Sequence, residues 1–291
     1  MTLFDAVWLS IIQALTEFLP VSSSGHLRLF REFFMPALKV DLRYDLFLHI
    51  GTLLAVLIFY RARILALLRS FVQGLSHRKT AGFWSSPQSE GIYYAAMLIL
   101  GSAPTVVLGL LFRKLINSDA VATATIGGLL IVNAAVLIIA QRFSARQIAQ
   151  DAQGTDAALR DDAPIQTLRP WHALVIGTAQ GFAVFPGISR SGSTIAAALL
   201  CGQSRERAVE FSFFLSIIAV GGATTLEMLT GVVPEEPIPA AAWPIGFAIT
   251  LFGGWMALAA LRFIVKKGGL EYFAAYCVLL GIATLALTRG A

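Results

Sequence analysis

Apolar residues run through this chain in blocks long enough to cross a bilayer, and polar residues fall between the blocks or in two short stretches set among them. The blocks at 44–60, 91–112, 120–140, 209–229, 243–265 and 272–287 predict six transmembrane helices, because about 20 apolar residues rising 1.5 Å each span the hydrocarbon core. Gly101 and Pro104 predict a bend in the second of them. Between the blocks, residues 28–43 carry Arg28, Arg31, Glu32, Lys39, Asp41 and Arg43 and predict an interfacial connector. The stretch 61–90 is basic (Arg61, Arg63, Arg69, Arg78, Lys79), and its opening, ILALLRSFVQGL, predicts an amphipathic helix lying on the membrane surface. Residues 141–169, rich in Ala, Gln, Asp and Arg, predict a flexible polar linker.

The two polar stretches break the pattern. Residues 13–27 read QALTEFLPVSSSGHL, and residues 180–194 read QGFAVFPGISRSGST. Without gaps, at an offset of 167, they match Gln13 with Gln180, Phe18 with Phe185, Ser22 with Ser189, Ser24 with Ser191 and Gly25 with Gly192. Where the first has Glu17, Ser23 and His26, the second has Val184, Arg190 and Ser193, so the copies hold complementary chemistry. Pro20 ends or kinks the helix that carries Gln13 and Glu17 on one face. The run Ser22 to His26 suits a short non-helical turn in which Gly25 takes a positive φ. Irregular backbone at membrane depth is tolerated only when buried in protein or lining a cavity, so both stretches predict re-entrant, site-forming hairpins.

Each half then holds one hairpin and three spans. Two like units separated by an odd number of crossings enter the membrane from opposite sides, which predicts an all-α, polytopic inverted repeat with its site where the halves meet. The expected division is 1–140 for the first repeat, 141–169 for a cytoplasmic linker and 170–291 for the second repeat, all within one integral membrane domain. Composition agrees: 57% of the 291 residues are hydrophobic, 13% are charged, and the mean hydropathy is +0.74. The net charge of +5 does not point to nucleic acid. If the loops 61–90, 141–170, 202–207 and 262–270 are cytoplasmic, they hold 14 of the 22 Lys and Arg, which is the topology signal such proteins use, and the acidic Glu235 and Glu236 fall outside. Cys201 and Cys277 have neither disulfide nor zinc spacing.

An ionisable group at bilayer depth costs at least roughly 2.5 to 3.5 kcal/mol on insertion scales and so marks function by default. Arg190 offers a fixed fork of donors suited to phosphate, and the hydroxyls beside it and helix N–H groups complete an anion cradle. If the anion is a diphosphate, as the family resemblance given below implies, its several charges call for a divalent cation, Mg²⁺ or Ca²⁺, held by Glu17 with Gln13. The nucleophile is left open between His26 and Ser23 activated by His26. Glu210 is a candidate electrostatic support for Arg190, whereas His49 and Glu227, each alone on an apolar span, read as satisfied interior groups and His172 as interfacial.

QALTEFLPVSSSGHL and PGISRSGST, with EFSF at 210–213 in support, resemble the undecaprenyl-diphosphate phosphatase family, the polytopic membrane enzymes associated with bacitracin resistance. The resemblance covers essentially the whole chain. The family often has glutamate where this chain has Gln13, which removes one candidate metal-binding charge. It implies hydrolysis of undecaprenyl diphosphate, recycling the carrier lipid for peptidoglycan and other envelope polymers, by a multi-pass protein of the bacterial plasma (inner) membrane with its site on the periplasmic or outer side. Glu17, His26 and Arg190, with Ser23, are then the catalytic residues; Ser22, Ser24, Gly25, Ser189, Ser191, Gly192 and Thr194 are the expected substrate contacts. The lipid substrate, membrane lipids and a homodimer are the partners to consider. The competing reading is an inverted-repeat transporter or flippase of a lipid phosphate.

Overall fold

The computed structural model describes every residue except 37, 39–41, 78–88, 117–121, 152–155, 157–158, 160–164, 231–236 and 290–291. The expectations for Lys39, Asp41, Arg78, Lys79, Glu235 and Glu236 lie outside the described residues. The described residues form eleven α-helices and no strand: α1 Leu3–Thr16, α2 Ser23–Phe34, α3 Leu42–Phe59, α4 Arg61–His77, α5 Glu90–Ile116, α6 Thr123–Gln150, α7 Pro170–Phe182, α8 Arg190–Leu200, α9 Arg205–Thr230, α10 Ala242–Lys266 and α11 Leu270–Arg289.

Five of them, α5, α6, α9, α10 and α11, are long and apolar enough to cross a membrane, and α3 with α4 makes a sixth candidate, bent by 70° at Tyr60. This is a multi-pass membrane protein. Its outer face is apolar in the manner lipid requires: Ile99, Val107, Leu110, Phe252 and Leu279 are all exposed. The bend sets α4 across the direction of α3, and Leu65, Leu68, Val72 and Leu75 stand exposed along one side of it, as the amphipathic pattern predicts. The largest differences from the sequence reading among these helices are at two boundaries. Helix α2 runs on to Phe34 through the expected connector, and α6 continues to Gln150 past the expected end at 140, because residues 141–150 are rich in Gln, Arg and Ala, good helix formers that need no apolar surroundings.

The two hairpins are buried by crossings between the halves of the chain. Helix α1 packs on α10, and α7 packs on α5. At the second crossing the backbones nearly touch: a Cβ on Gly177 would lie 1.8 Å from Gly101 O. The Thr105 hydroxyl donates into the same crossing, 2.8 Å from Gly177 O and 3.2 Å from Gly101 O, one residue after Pro104 has removed a backbone donor from α5. Small residues that bring backbones together and hydroxyls that bond across helices are what hold membrane bundles, where lipid offers no hydrophobic drive. The same device joins α6 to α11, where Gly127 and Gly281 face each other's carbonyls. Both helices that enter the hairpins, α1 and α7, therefore have fixed positions, and their ends deliver the polar stretches to a common centre.

Candidate active site

Helix α1 ends where Pro20 forbids its continuation, and the chain turns through 17–21. The strained residue of this turn is Ser22, with φ 71°, and not Gly25, which lies inside α2. Ser22 holds that conformation as the N-cap of α2. Its hydroxyl accepts from Gly25 N at 3.3 Å and from Gly187 N, in the other half of the chain, at 3.0 Å. Only the run up to Ser22 is non-helical, since Ser23 to His26 form the first turn of α2, so the expectation of a non-helical turn from Ser22 to His26 is corrected. Gly25 is required for a different reason: a Cβ there would sit 3.0 Å from Gly187 N.

The second stretch is built alike. Gly187 takes φ 105°, and Ser189 caps α8, accepting from Gly192 N at 3.1 Å. Helix α8 starts at Arg190, earlier than the apolar run at Ile195 suggests, because the cap and the serines after it can begin a helix without hydrophobic residues. The two turns lock together. Ser191 donates to Leu19 O at 3.3 Å, and a Cβ on Gly192 would lie 3.2 Å from Pro20 Cβ. Asn133 of α6, 1% exposed, bridges them, donating to Pro20 O at 2.9 Å and accepting from Ser189 N at 3.0 Å.

This junction brings Glu17, Ser23 and Arg190 together. Ser23 Oγ donates to Glu17 Oε2 at 2.7 Å, Gln13 Nε2 donates to the same oxygen at 3.0 Å, and Arg190 Nη2 lies 3.4 Å from Oε1. The Glu17 side chain is 7% exposed and that of Arg190 29%, so the guanidinium stands on the open side of the carboxylate. Below them Glu17, Phe18, Arg190, Thr194, Ser212 and Phe213 line part of a cavity of about 20 Å³, room for about one water. The arrangement pairs a hydroxyl with a carboxylate that can take its proton, beside a permanent cation that can hold an anion.

The other expected residues are placed as follows. His26 lies one turn beyond Ser23; its Nδ1 is 2.8 Å from Ser22 O and its Nε2 is 2.7 Å from the Tyr276 hydroxyl, so its hydrogen bonds run away from Glu17. Ser24 is exposed at the mouth, 3.5 Å from Ser22 Oγ. Ser22, Ser189, Ser191 and the two glycines build the turns. Thr194 bonds back to Arg190 O at 2.9 Å and also lines the cavity. Glu210 does not support Arg190. It accepts from Arg63 at 3.2 Å and from Tyr94 at 3.2 Å, near Arg207, in a separate charged cluster where α4, α5 and α9 meet. It faces those elements because the helix turns it away from Ser212 and Phe213.

Sequence reasoning missed three residues. His49, set aside as an interior group, lies with Nε2 3.7 Å from Glu17 Oε2, its ring fixed by Nδ1 donating to Asp45 O at 2.7 Å. Asn133 and Tyr276 carry no motif, and a single polar residue on an apolar span was their only signal.

For a divalent cation the test is the donor set. Gln13 Oε1 is buried and accepts no hydrogen bond, while the amide nitrogen of the same side chain donates to Glu17 Oε2. Among the described residues no group of three His, Cys, Asp or Glu could enclose a metal, so protein oxygens would supply only part of a shell. One carboxylate and one amide oxygen, with the remainder left to phosphate and water, fit Mg²⁺ or Ca²⁺.

The family described as bacitracin resistance protein BacA matches residues 6–283. The chain is similar to an undecaprenyl-diphosphatase of Desulfatibacillum aliphaticivorans, 37% identical over 287 residues, covering 97% of each chain. An undecaprenyl-diphosphatase of Korarchaeum cryptofilum is 34% identical over 287 residues, covering 99% of this chain and all of the relative. A protein named undecaprenyl-diphosphatase 2, from Halalkalibacterium halodurans, is 32% identical over 285 residues, covering 97% of this chain and 95% of its own. With the family matched along almost its whole length and relatives covered end to end, the chain belongs to the bacitracin resistance protein BacA family.

Proposed function

We propose that this protein hydrolyses undecaprenyl diphosphate to undecaprenyl phosphate and inorganic phosphate, with Ser23 as the nucleophile. The observation that carries the assignment of residues is the 2.7 Å hydrogen bond from Ser23 Oγ to Glu17 Oε2 with Arg190 on the carboxylate's other oxygen. The relatives named as undecaprenyl-diphosphatases support the substrate.

Phosphoryl transfer needs positioning and charge stabilisation more than covalent assistance. The terminal phosphate enters on the exposed side of Arg190, whose 3.4 Å contact with Glu17 is long enough to be exchanged for phosphate oxygens. Ser23 Oγ attacks the terminal phosphorus as its proton passes to Glu17. The bond from phosphorus to the bridging oxygen breaks, and undecaprenyl phosphate leaves with that electron pair. Water then attacks the phosphoserine, the bond from phosphorus to Oγ breaks, Glu17 returns its proton to Ser23, and the water's protons leave with inorganic phosphate. A divalent cation, held by Glu17 and Gln13 Oε1, would neutralise diphosphate charge when bound. The polyprenyl chain lies along the apolar outer faces of the helices.

The pairing of α1 with α10 and of α7 with α5 exchanges equivalent helices of the two halves, which supports reading them as an inverted repeat. The basic loops on one side support a plasma-membrane topology with the site open to the outer, periplasmic side. A transporter built on such a repeat has no use for a serine hydroxyl hydrogen-bonded to a buried carboxylate.

Rapid quenching of the purified protein with substrate labelled in the terminal phosphate tests the nucleophile. The expected result is acid-stable label on the Ser23 peptide, absent in Ser23→Ala; label on His26, or turnover by Ser23→Ala at the wild-type rate, overturns it.

A further inference from the structure

We propose that Tyr276 is a positioning residue of this site, acting through His26; the inference rests on the hydrolysis proposed above. His26 Nδ1 lies 2.8 Å from the Ser22 carbonyl oxygen, an atom that only accepts, so Nδ1 carries the hydrogen. In the neutral ring that leaves a lone pair on Nε2, and the Tyr276 hydroxyl, 2.7 Å away, donates to it. The two rings lie nearly parallel, 9° apart with centroids at 5.5 Å, so orientation and tautomer are both set. Which ring nitrogen of a histidine is free for chemistry is decided by the bond the other one makes.

Two further facts tie this contact to the site and not merely to helix packing. His26 is one helical turn beyond Ser23, on the turn whose cap, Ser22, also receives Gly187 N. The next residue on α11, Cys277, reaches Pro20 O at 3.9 Å and accepts from Asn133 Nδ2 at 3.5 Å, so α11 is registered on the same turn at adjacent positions. Tyr276 belongs to the last helix and His26 to the second, which makes the pair a further link between the halves beside Glu17–Arg190 and Asn133. The lone pair that a nucleophilic histidine would direct at phosphorus is covered by the tyrosine hydroxyl. In this geometry His26, held at both nitrogens, braces the first turn of α2 that carries Ser23, while the proton of Ser23 passes to Glu17.

The test compares wild type, Tyr276→Phe, His26→Gln and the double variant of the intact protein in detergent. Its readouts are kcat and KM for phosphate release from undecaprenyl diphosphate, and ¹⁵N NMR of the ring nitrogens of the chain's four histidines, with His26 identified by His26→Gln. Phenylalanine keeps the stack and removes only the hydroxyl. The expected result is a fall in kcat of roughly tenfold, the scale of one hydrogen bond lost from the transition state. KM should stay within about twofold, because the interaction acts on the chemical step. The His26 Nε2 resonance should lose its hydrogen-bonded position, and the double variant should be no slower than His26→Gln alone. Wild-type kcat in Tyr276→Phe, or a loss that simply multiplies with that of His26→Gln while the His26 resonances stay put, overturns the proposal. Wild type inert on the lipid diphosphate overturns the phosphatase reading instead, and the NMR still reports whether the pair exists.

Discussion

Replacing Asn133 with leucine, which keeps the branching of the side chain but none of its hydrogen bonds, removes a side chain that bonds both turns at once. Asn133 is 1% exposed, donates to Pro20 O at 2.9 Å and accepts from Ser189 N at 3.0 Å. Leucine leaves a buried carbonyl and a buried N–H without partners, at about 1 to 3 kcal/mol each, or roughly 2 to 6 kcal/mol together. The lower half of that range is favoured because the Cys277 thiol, 3.9 Å from Pro20 O, offers a weak substitute donor. At roughly 2 °C or more per kcal/mol for a chain of this size, the melting midpoint in detergent should fall by at least about 4 °C. Phosphate release should fall further than stability alone requires, because Ser189 caps the helix that begins with Arg190. An Asn133→Leu protein that melts within about 1 °C of wild type and retains full activity would show that the turns do not depend on this bridge.

Two other perturbations reach the fold and the cation. Gly177→Ala places a methyl 1.8 Å from the Gly101 carbonyl oxygen, a backbone atom that cannot step aside, so α5 and α7 must separate. A loss of about 1 to 3 kcal/mol is expected, read as a lower melting midpoint, and an unchanged midpoint would refute the close crossing. Chelation should abolish phosphate release and Mg²⁺ or Ca²⁺ restore it, with Gln13→Leu raising the concentration needed for half-maximal recovery; activity indifferent to chelator and to Gln13 would remove the cation from the site.

The spans and the two hairpins were legible because they are written in contiguous residues: apolar blocks of bilayer length, each hairpin marked by a proline, serines and a glycine. Glu17, Ser23 and Arg190 were legible for the same reason, being costly groups inside those stretches. The sequence could not reveal partners that come together from separate helices. Asn133 is 113 residues from Pro20 and 56 from Ser189, and Tyr276 is 250 from His26, so each reads as a lone polar residue in an apolar run. His49 was set aside on that ground, and it lies 3.7 Å from the Glu17 carboxylate. Glu210 failed in the opposite direction, since an adjacent match to EFSF suggested the site while the turn of α9 points the carboxylate at Arg63 and Tyr94. Backbone strain was misplaced as well: glycine is the usual residue at positive φ, and here Ser22 takes it, held by two N–H groups on its hydroxyl, one of them from the far half of the chain.

The proposed site draws on both halves of the chain, with Glu17 and Ser23 from the first and Arg190 from the second. Phosphate release from undecaprenyl diphosphate by the purified protein, compared among wild type, Glu17→Gln and Arg190→Ala with melting curves for each, tests it most directly. Wild type should turn over, and each variant, still folded, should lose at least roughly a hundredfold, as removal of a charge-stabilising or proton-accepting group does. Wild-type rates in a folded Glu17→Gln or Arg190→Ala protein would contradict it.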